Sequence, residues 1–198
     1  ADSSRILWRL ARVHICIGDV MERDSSRDYY RAAEQFARRS MQLDSSSSEV
    51  RTWYAAAIGS VALHEGGKTK VLTAWEIKRH VDVAIALNPN NDIAYSILGS
   101  FHRSLGRLSW IERSLASLFT TKLPEGSFDE GEKALKKAIE LNPKAPRHHY
   151  ELGMLYLDWN KKSLARESLT RSLSLPLITA RDKQDRVDAE RRLADLGE

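Results

Sequence analysis

The chain has 198 residues, of which 42% are hydrophobic, 8% aromatic and 29% charged; these proportions exclude a disordered chain and fit one solid domain or two small ones. Lys and Arg number 31 against 27 Asp and Glu, a formal charge of +4, which is a mild bias toward anionic partners and not a nucleic-acid signature. The lone cysteine, Cys16, excludes an internal disulfide and argues against a cysteine-based zinc site.

The longest uncharged apolar-leaning run, Thr52 to Leu63, falls far short of the ~20 residues that span a bilayer. The chain opens on Ala1 with no apolar leader, which predicts an excised or processed chain whose anchor or address lies outside it. Helical periodicity begins with Leu7, Leu10, Ala11 and His14. It recurs at Ile77, Val81, Ala84 and Ile85, and again at Ala134, Leu135, Ala138, Ile139 and Leu141. Helices are predicted over 3–19, 28–43, 47–64, 74–87, 92–105, 109–120, 128–141, 146–159, 161–174 and 179–196. Capping boxes, in which a Ser or Thr and a Glu three residues on satisfy each other's amides, mark starts at Ser46/Glu49, Thr73/Glu76, Ser109/Glu112 and Ser127/Glu130. Asn88-Pro89, Asn142-Pro143 and Pro176 mark stops.

These helices repeat. Ala84-Ile-Ala-Leu-Asn-Pro89 and Ala138-Ile-Glu-Leu-Asn-Pro143 are nearly the same hexapeptide, and each precedes a helix carrying Leu-Gly, at Leu98-Gly99 and Leu152-Gly153. Tyr150-x-Leu152-Gly153-x-x-Tyr156 followed by Ala165, Leu169 and Ser172 fits the tetratricopeptide unit of about 34 residues. Two earlier, degenerate units fit with Leu10-Ala11 and with Ala56-Ala57 at the close helix contact. The predicted fold is all-α. It is an α-solenoid of about four divergent tetratricopeptide helix pairs in a single domain, 1–198. The units run roughly over 3–43, 47–89, 92–143 and 146–176, with an inserted helix at 109–120 and a polar C-terminal capping helix at 179–196.

Chemistry-bearing motifs are weak. Ala62-x-x-x-x-Gly67-Lys68-Thr69 matches a relaxed phosphate loop, but a helix precedes it and helix-capping residues arrive only at Thr73. Adjacent His148 and His149 diverge by about 100° on a helix and share a metal poorly, and neither His64 nor His80 has ligands at metal spacing. Cys16 sits mid-helix among apolar residues and reads as a buried inert thiol. Trp53, Trp75, Trp110 and Trp159 read as core or staple residues. The chain is therefore expected not to be an enzyme and to hold no cofactor and no metal.

In such a solenoid the first helix of each unit lines the concave face through roughly its second, fifth, ninth and twelfth positions. These are Arg5, Trp8, Arg12 and Ile15; Arg51, Tyr54, Ile58 and Val61; Ile93, Ser96, Ser100 and Arg103; and Arg147, Tyr150, Met154 and Leu157. No carboxylate occurs among them. The candidate groove is Arg5, Trp8, Arg12, Arg51, Tyr54, Arg103, Arg147, Tyr150 and Met154. Its guanidinium forks suit an acidic head group and its apolar residues suit a chain. The plainer reading is that some of these arginines pair with neighbouring helices.

Several runs resemble the tetratricopeptide domain of the regulator of microtubule dynamics family, which includes a mitochondrial tyrosine-phosphatase-interacting tether protein. They are Leu7-Trp8-Arg9-Leu10-Ala11-Arg12, Trp53-Tyr54 and His64-Glu65-Gly66. The most specific is His80-Val81-Asp82-x-Ala84-Ile85-Ala86-Leu87-x-Pro89, continuing to Ala94 and Leu98-Gly99, with Leu108-Ser109-Trp110-x-Glu112 in the insert. The stretch from Leu123 to Phe128 and the repeat at 128–143 read closer to an ordinary tetratricopeptide, as in a distant homologue. The resemblance implies a non-enzymatic binding module. One implied role is binding an acidic, phosphatidic acid-like phospholipid in the groove, with lipid transfer at membrane contact sites. The alternative is a protein scaffold that associates with tubulin, microtubules or another acidic protein. No nucleic-acid partner is expected. The implied setting is cytoplasmic, at the mitochondrial outer membrane or microtubules through segments outside this chain.

Overall fold

The computed structural model describes residues 2–108 and 123–197. The predicted inserted helix at 109–120, with its Ser109 cap and Trp110, lies outside the described residues. Among the described residues all regular structure is helical: α1 (Asp2–Val20), α2 (Arg23–Leu43), α3 (Ser48–Glu65), α4 (Gly67–Leu87), α5 (Asp92–Gly106), α6 (Phe128–Leu141), α7 (Pro146–Asp158), α8 (Lys162–Leu173) and α9 (Ala180–Asp195). None is long and apolar enough to cross a membrane.

The described residues form two compact units, one of 2–91 with 108 and 123–124, the other of 92–107 with 125–197. In the first unit α1 pairs with α2 and α3 with α4, while α3 also packs on α2 and α1. The start of each leading helix is tied to the last turn of its mate. Ser40 Oγ donates to the Ser4 carbonyl (2.9 Å), and Ser48 Oγ donates to the Ala84 carbonyl (2.8 Å). Both bonds join residues 36 apart in sequence, so Ser48 occupies the repeat position of Ser4. That shifts the second helix pair by two residues from the predicted register. The counterpart of Ala11 is Ala55, not Ala57, although all three are fully buried.

In the second unit α5 pairs with α6, α7 with α8, and α9 covers α7 and α8. Ser172 Oγ donates to the Pro146 carbonyl at 2.9 Å across only 26 residues. The 36-residue reach in the first unit reflects longer helices, 19 and 21 residues in α1 and α2 against 13 and 12 in α7 and α8. Leu135, Leu155 and Tyr156 centre one core cluster, and Tyr150, Met154, Leu169 and Ala189 a second. Gly99 and Gly153 permit the close helix contacts expected of them. A Cβ on Gly99 would lie 2.4 Å from Leu135 Cγ, and one on Gly153 2.7 Å from Leu169 Cγ.

The turns that leave α2, α4 and α6 share one design. The amides of Asp44, Asn88 and Asn142 return to the carbonyls of Ser40, Ala84 and Ala138. The Asp44 and Asn88 side chains then each accept the amide two residues on, at 3.0 Å. Asn88 and Asn142 are the C-caps before proline that the sequence predicts.

Three predicted starts move. The cap of α3 is Ser47, whose hydroxyl accepts from the Val50 amide, while Ser46 Oγ donates to Asp44. Thr73 lies inside α4 and its hydroxyl donates to the Thr69 carbonyl. The helix begins instead at Gly67, and α2 begins at Arg23 behind Glu22, which makes no side-chain cap. Ser127 caps α6 by accepting from the Glu130 amide. Thr179 and Asp182 form a complete box at α9, one that a search for Glu at the third position passes over.

Candidate functional site

The nine candidate groove residues separate into distinct environments. On α1, Arg5 and Arg12 are exposed and Trp8 is half-buried. The Trp8 ring stacks on Trp53 from α3, with centroids 6.5 Å apart and planes 5° from parallel. The Arg12 guanidinium lies 5.4 Å from the Trp53 ring centroid, and the Arg9 guanidinium 5.3 Å from that of Trp8. Contacts of this kind attract a guanidinium to the ring by about 0.5–1 kcal/mol at exposed sites. Arg5, Arg9 and Arg12 form no ion pair with a carboxylate among the described residues.

Arg51 and Tyr54 turn elsewhere. Arg51 Nε donates to the Ser45 carbonyl at 2.6 Å, and its Nη1 lies 3.3 Å from His80 Nδ1 on α4. Tyr54 is 4% exposed. Its hydroxyl donates to Glu76 of α4 (2.7 Å), its ring meets His80 edge-on, and Arg38 of α2 lies over it. Burial and the bond to Glu76 push its phenol up to about 12. The two-residue register shift accounts for this. The repeat positions that match Arg5, Trp8 and Arg12 are Glu49, Thr52 and Ala56, so a carboxylate enters a set expected to have none.

In the second unit Arg103 is locked in an ion-pair network. Its Nη1 donates to Glu151 (3.0 Å) and its Nε to Asp158 (2.7 Å). Burial would raise the Glu151 carboxyl, yet the charges of Arg103 and Arg147 and a bond from Ser100 hold it below the usual range. Arg147 is half-buried at the first turn of α7. Tyr150 and Met154 are 8% and 7% exposed. They pack with Leu169 of α8 and Ala189 of α9, and the Tyr150 hydroxyl donates to Asp188 of α9 at 2.9 Å. The plainer reading of these arginines therefore holds for Arg103.

The structure thus brings Trp8 and Arg12 together with Arg9 and Trp53, which the sequence reading did not select. Arg9 and Trp53 share one repeat position once Ser48 is aligned with Ser4, and that alignment is the signal that could have found them. Trp75, expected in the core, is 52% exposed. Trp159 does act as a staple, stacked on Phe128. Cys16 is half-buried, not enclosed.

Neither the phosphate-loop match nor the histidines assemble a reactive centre. Helix α4 follows Gly66 directly, so the required helix is present at Lys68-Thr69, contrary to the expected late start. What precedes is helix α3 and not a strand, and Thr69 Oγ1 donates to the Glu65 carboxylate at 3.0 Å, where a phosphate would need an anion-free cradle. His148 bonds to Asp92 (2.9 Å) and His149 to the Pro143 carbonyl (3.1 Å). No group of three or more His, Cys, Asp or Glu among the described residues could hold a metal ion.

Comparison with known proteins places this geometry. The crystal structure of a thermophilic tetratricopeptide-repeat protein from Thermus thermophilus superposes with a TM-score of 0.66 over 98% of this chain and 80% of its own, at 19% identity. That likeness fixes the fold as an α-solenoid of tetratricopeptide pairs. Regulator of microtubule dynamics protein 1 of Mus musculus is 30% identical over 99% of the chain. Regulator of microtubule dynamics protein 3 of Bos taurus is 31% identical over 97% of it. The chain spans 65% and 41% of those two proteins. The sequence model described as Regulator of microtubule dynamics protein 1-3 matches residues 1–197, and with the helix pairs and the run from Leu7 to Arg12 in place, the chain belongs to that family.

Proposed function

We propose that this chain is a non-catalytic protein-binding module that docks an acidic protein surface, with microtubules the partner to which its relatives' name points. The observation that carries the reading is the α1 surface, where exposed Arg9 and Arg12 lie over the Trp8–Trp53 stack and exposed Arg5 precedes Trp8 on the same helix, all three without a carboxylate partner among the described residues. The phospholipid reading shares those arginines but needs an apolar floor for acyl chains. Of the residues that would supply it, Tyr54, Tyr150 and Met154 are between 4% and 8% exposed and filled by packing, and only Trp8 is half-buried. On this reading the module works in the cytoplasm at microtubules.

Co-sedimentation with microtubules over a salt series tests it. The chain should pellet at low ionic strength and be released as salt rises, because exposed charges are screened beyond a Debye length of ~8–10 Å. Flotation with phosphatidic acid vesicles is the parallel arm. Vesicle binding with no microtubule pelleting at any salt would restore the lipid reading in place of this one.

A further inference from the structure

We infer that Arg9 and Arg12, stacked on the Trp8–Trp53 pair, form the anchoring subsite for a carboxylate-rich peptide segment; this rests on the protein-binding reading above. Each guanidinium lies over an indole, its carbon 5.3 Å (Arg9 over Trp8) and 5.4 Å (Arg12 over Trp53) from the ring centroid. The guanidinium edge carries all five N–H donors. No hydrogen bond from either side chain to another described residue forms. Stacking removes much of the rotamer freedom that an exposed arginine would otherwise lose on binding, so the forks are pre-organised. Residues three apart on a helix have Cβ atoms about 5–6 Å apart, a spacing that lets two forks take neighbouring carboxylates of an acidic run. The half-buried indoles give the peptide stems a flat apolar wall.

The second unit holds a carboxylate of the last helix against one of its leading helices. There α9 lies on α7, and its inward side carries Asp185 and Asp188 around Ala189. The Tyr150 hydroxyl of α7 donates to Asp188. One carboxylate held against a leading helix, Asp188 on Tyr150, is thus already part of the fold, on a helix that carries as many basic as acidic residues. A lipid head group would use the same forks, but Tyr54, Tyr150 and Met154 of the acyl floor are filled by packing.

The probe is a fluorescein-labelled deca-glutamate peptide titrated into the full chain, with tryptophan emission as a second readout. Wild type should bind with a change in that emission. Arg9→Gln with Arg12→Gln, and separately Trp53→Leu, should each weaken binding by about tenfold or more. Arg39→Gln with Lys144→Gln removes the same charge from exposed positions elsewhere and should weaken it less than about twofold. Equal losses in the two double variants would reduce the effect to net charge and overturn the subsite. So would phosphatidic acid vesicles that bind through Arg9 and Arg12 while the peptide does not. Microtubule binding that survives Arg9→Gln with Arg12→Gln sinks the subsite and leaves the protein-binding reading intact. Peptide binding lost in that variant, with wild type never pelleting on microtubules, sinks the microtubule partner and leaves the subsite standing.

Discussion

Arg103 and Arg12 look alike in the sequence, each an arginine at a position that the repeat turns inward, yet they do different work. Arg103 is held between Glu151 and Asp158 with its side chain 17% exposed. Removing it leaves Glu151 with Ser100 and Asp158 with Arg107 at 3.6 Å, so the loss falls toward the low end of the about 3–5 kcal/mol that breaking a buried pair from one side costs. Arg103→Met should lower the unfolding free energy by about that much in urea while leaving peptide affinity unchanged. Arg12→Gln should do the reverse. Asp92 gives a pH signature. Burial alone would raise its carboxyl, but bonds from His148 and Asn142 hold it below its ordinary 3.8. A depressed folded value means the unfolded chain binds the proton first, so this stabilisation is complete above 3.8 and is lost as pH falls through the folded value. Wild type should therefore lose more stability than Asp92→Asn between about pH 5 and 2, measured by urea unfolding. The sequence shows Asp92 and His148 at helix starts, but not that they meet across 56 residues.

Helix existence was legible throughout the described residues, and so were most helix starts; those of α2 and α4 were not, for a reason visible at Glu22 and Gly66. Neither offers a capping side chain, so the chain enters α2 and α4 with no signal a motif search can find. Gly66 adopts φ 66° and ψ −158°, a region reserved for glycine. Gly66→Ala should cost about 1–3 kcal/mol, readable as a lowered urea midpoint, although a Cβ there would meet nothing within 4 Å. Gly99→Ala should cost about 1–3 kcal/mol for the opposite reason, crowding against Leu135 with no change in backbone freedom. At α9 the Thr179–Asp182 box substitutes Asp for the usual Glu, and Thr179→Ala should loosen that helix by about 1 kcal/mol. Hydrogen exchange should show that loss confined to α9 and to the Tyr150 and Met154 region it covers.

At the scale of the whole chain, the hexapeptides ending at Pro89 and Pro143 made the repeat legible, because the turn after each helix pair reuses one hydrogen-bond scheme. The open surface was less legible. Its reading depended on the register of α3, which is set by the Ser48–Ala84 bond, and that contact has no local sequence mark. A two-residue slip set Tyr54, a tyrosine buried against α4, at the repeat position that Thr52 holds, and passed over Trp53. Partners are expected to dock on the Trp8–Trp53 face of the first unit. Oxidative footprinting of the tryptophans, with and without saturating microtubules at low salt, tests it most directly. Protection of Trp8 and Trp53, with exposed Trp75 and the Trp159 staple oxidised as before, is the result expected. Unchanged oxidation of Trp8 and Trp53 in a sample that demonstrably pellets on microtubules would contradict it.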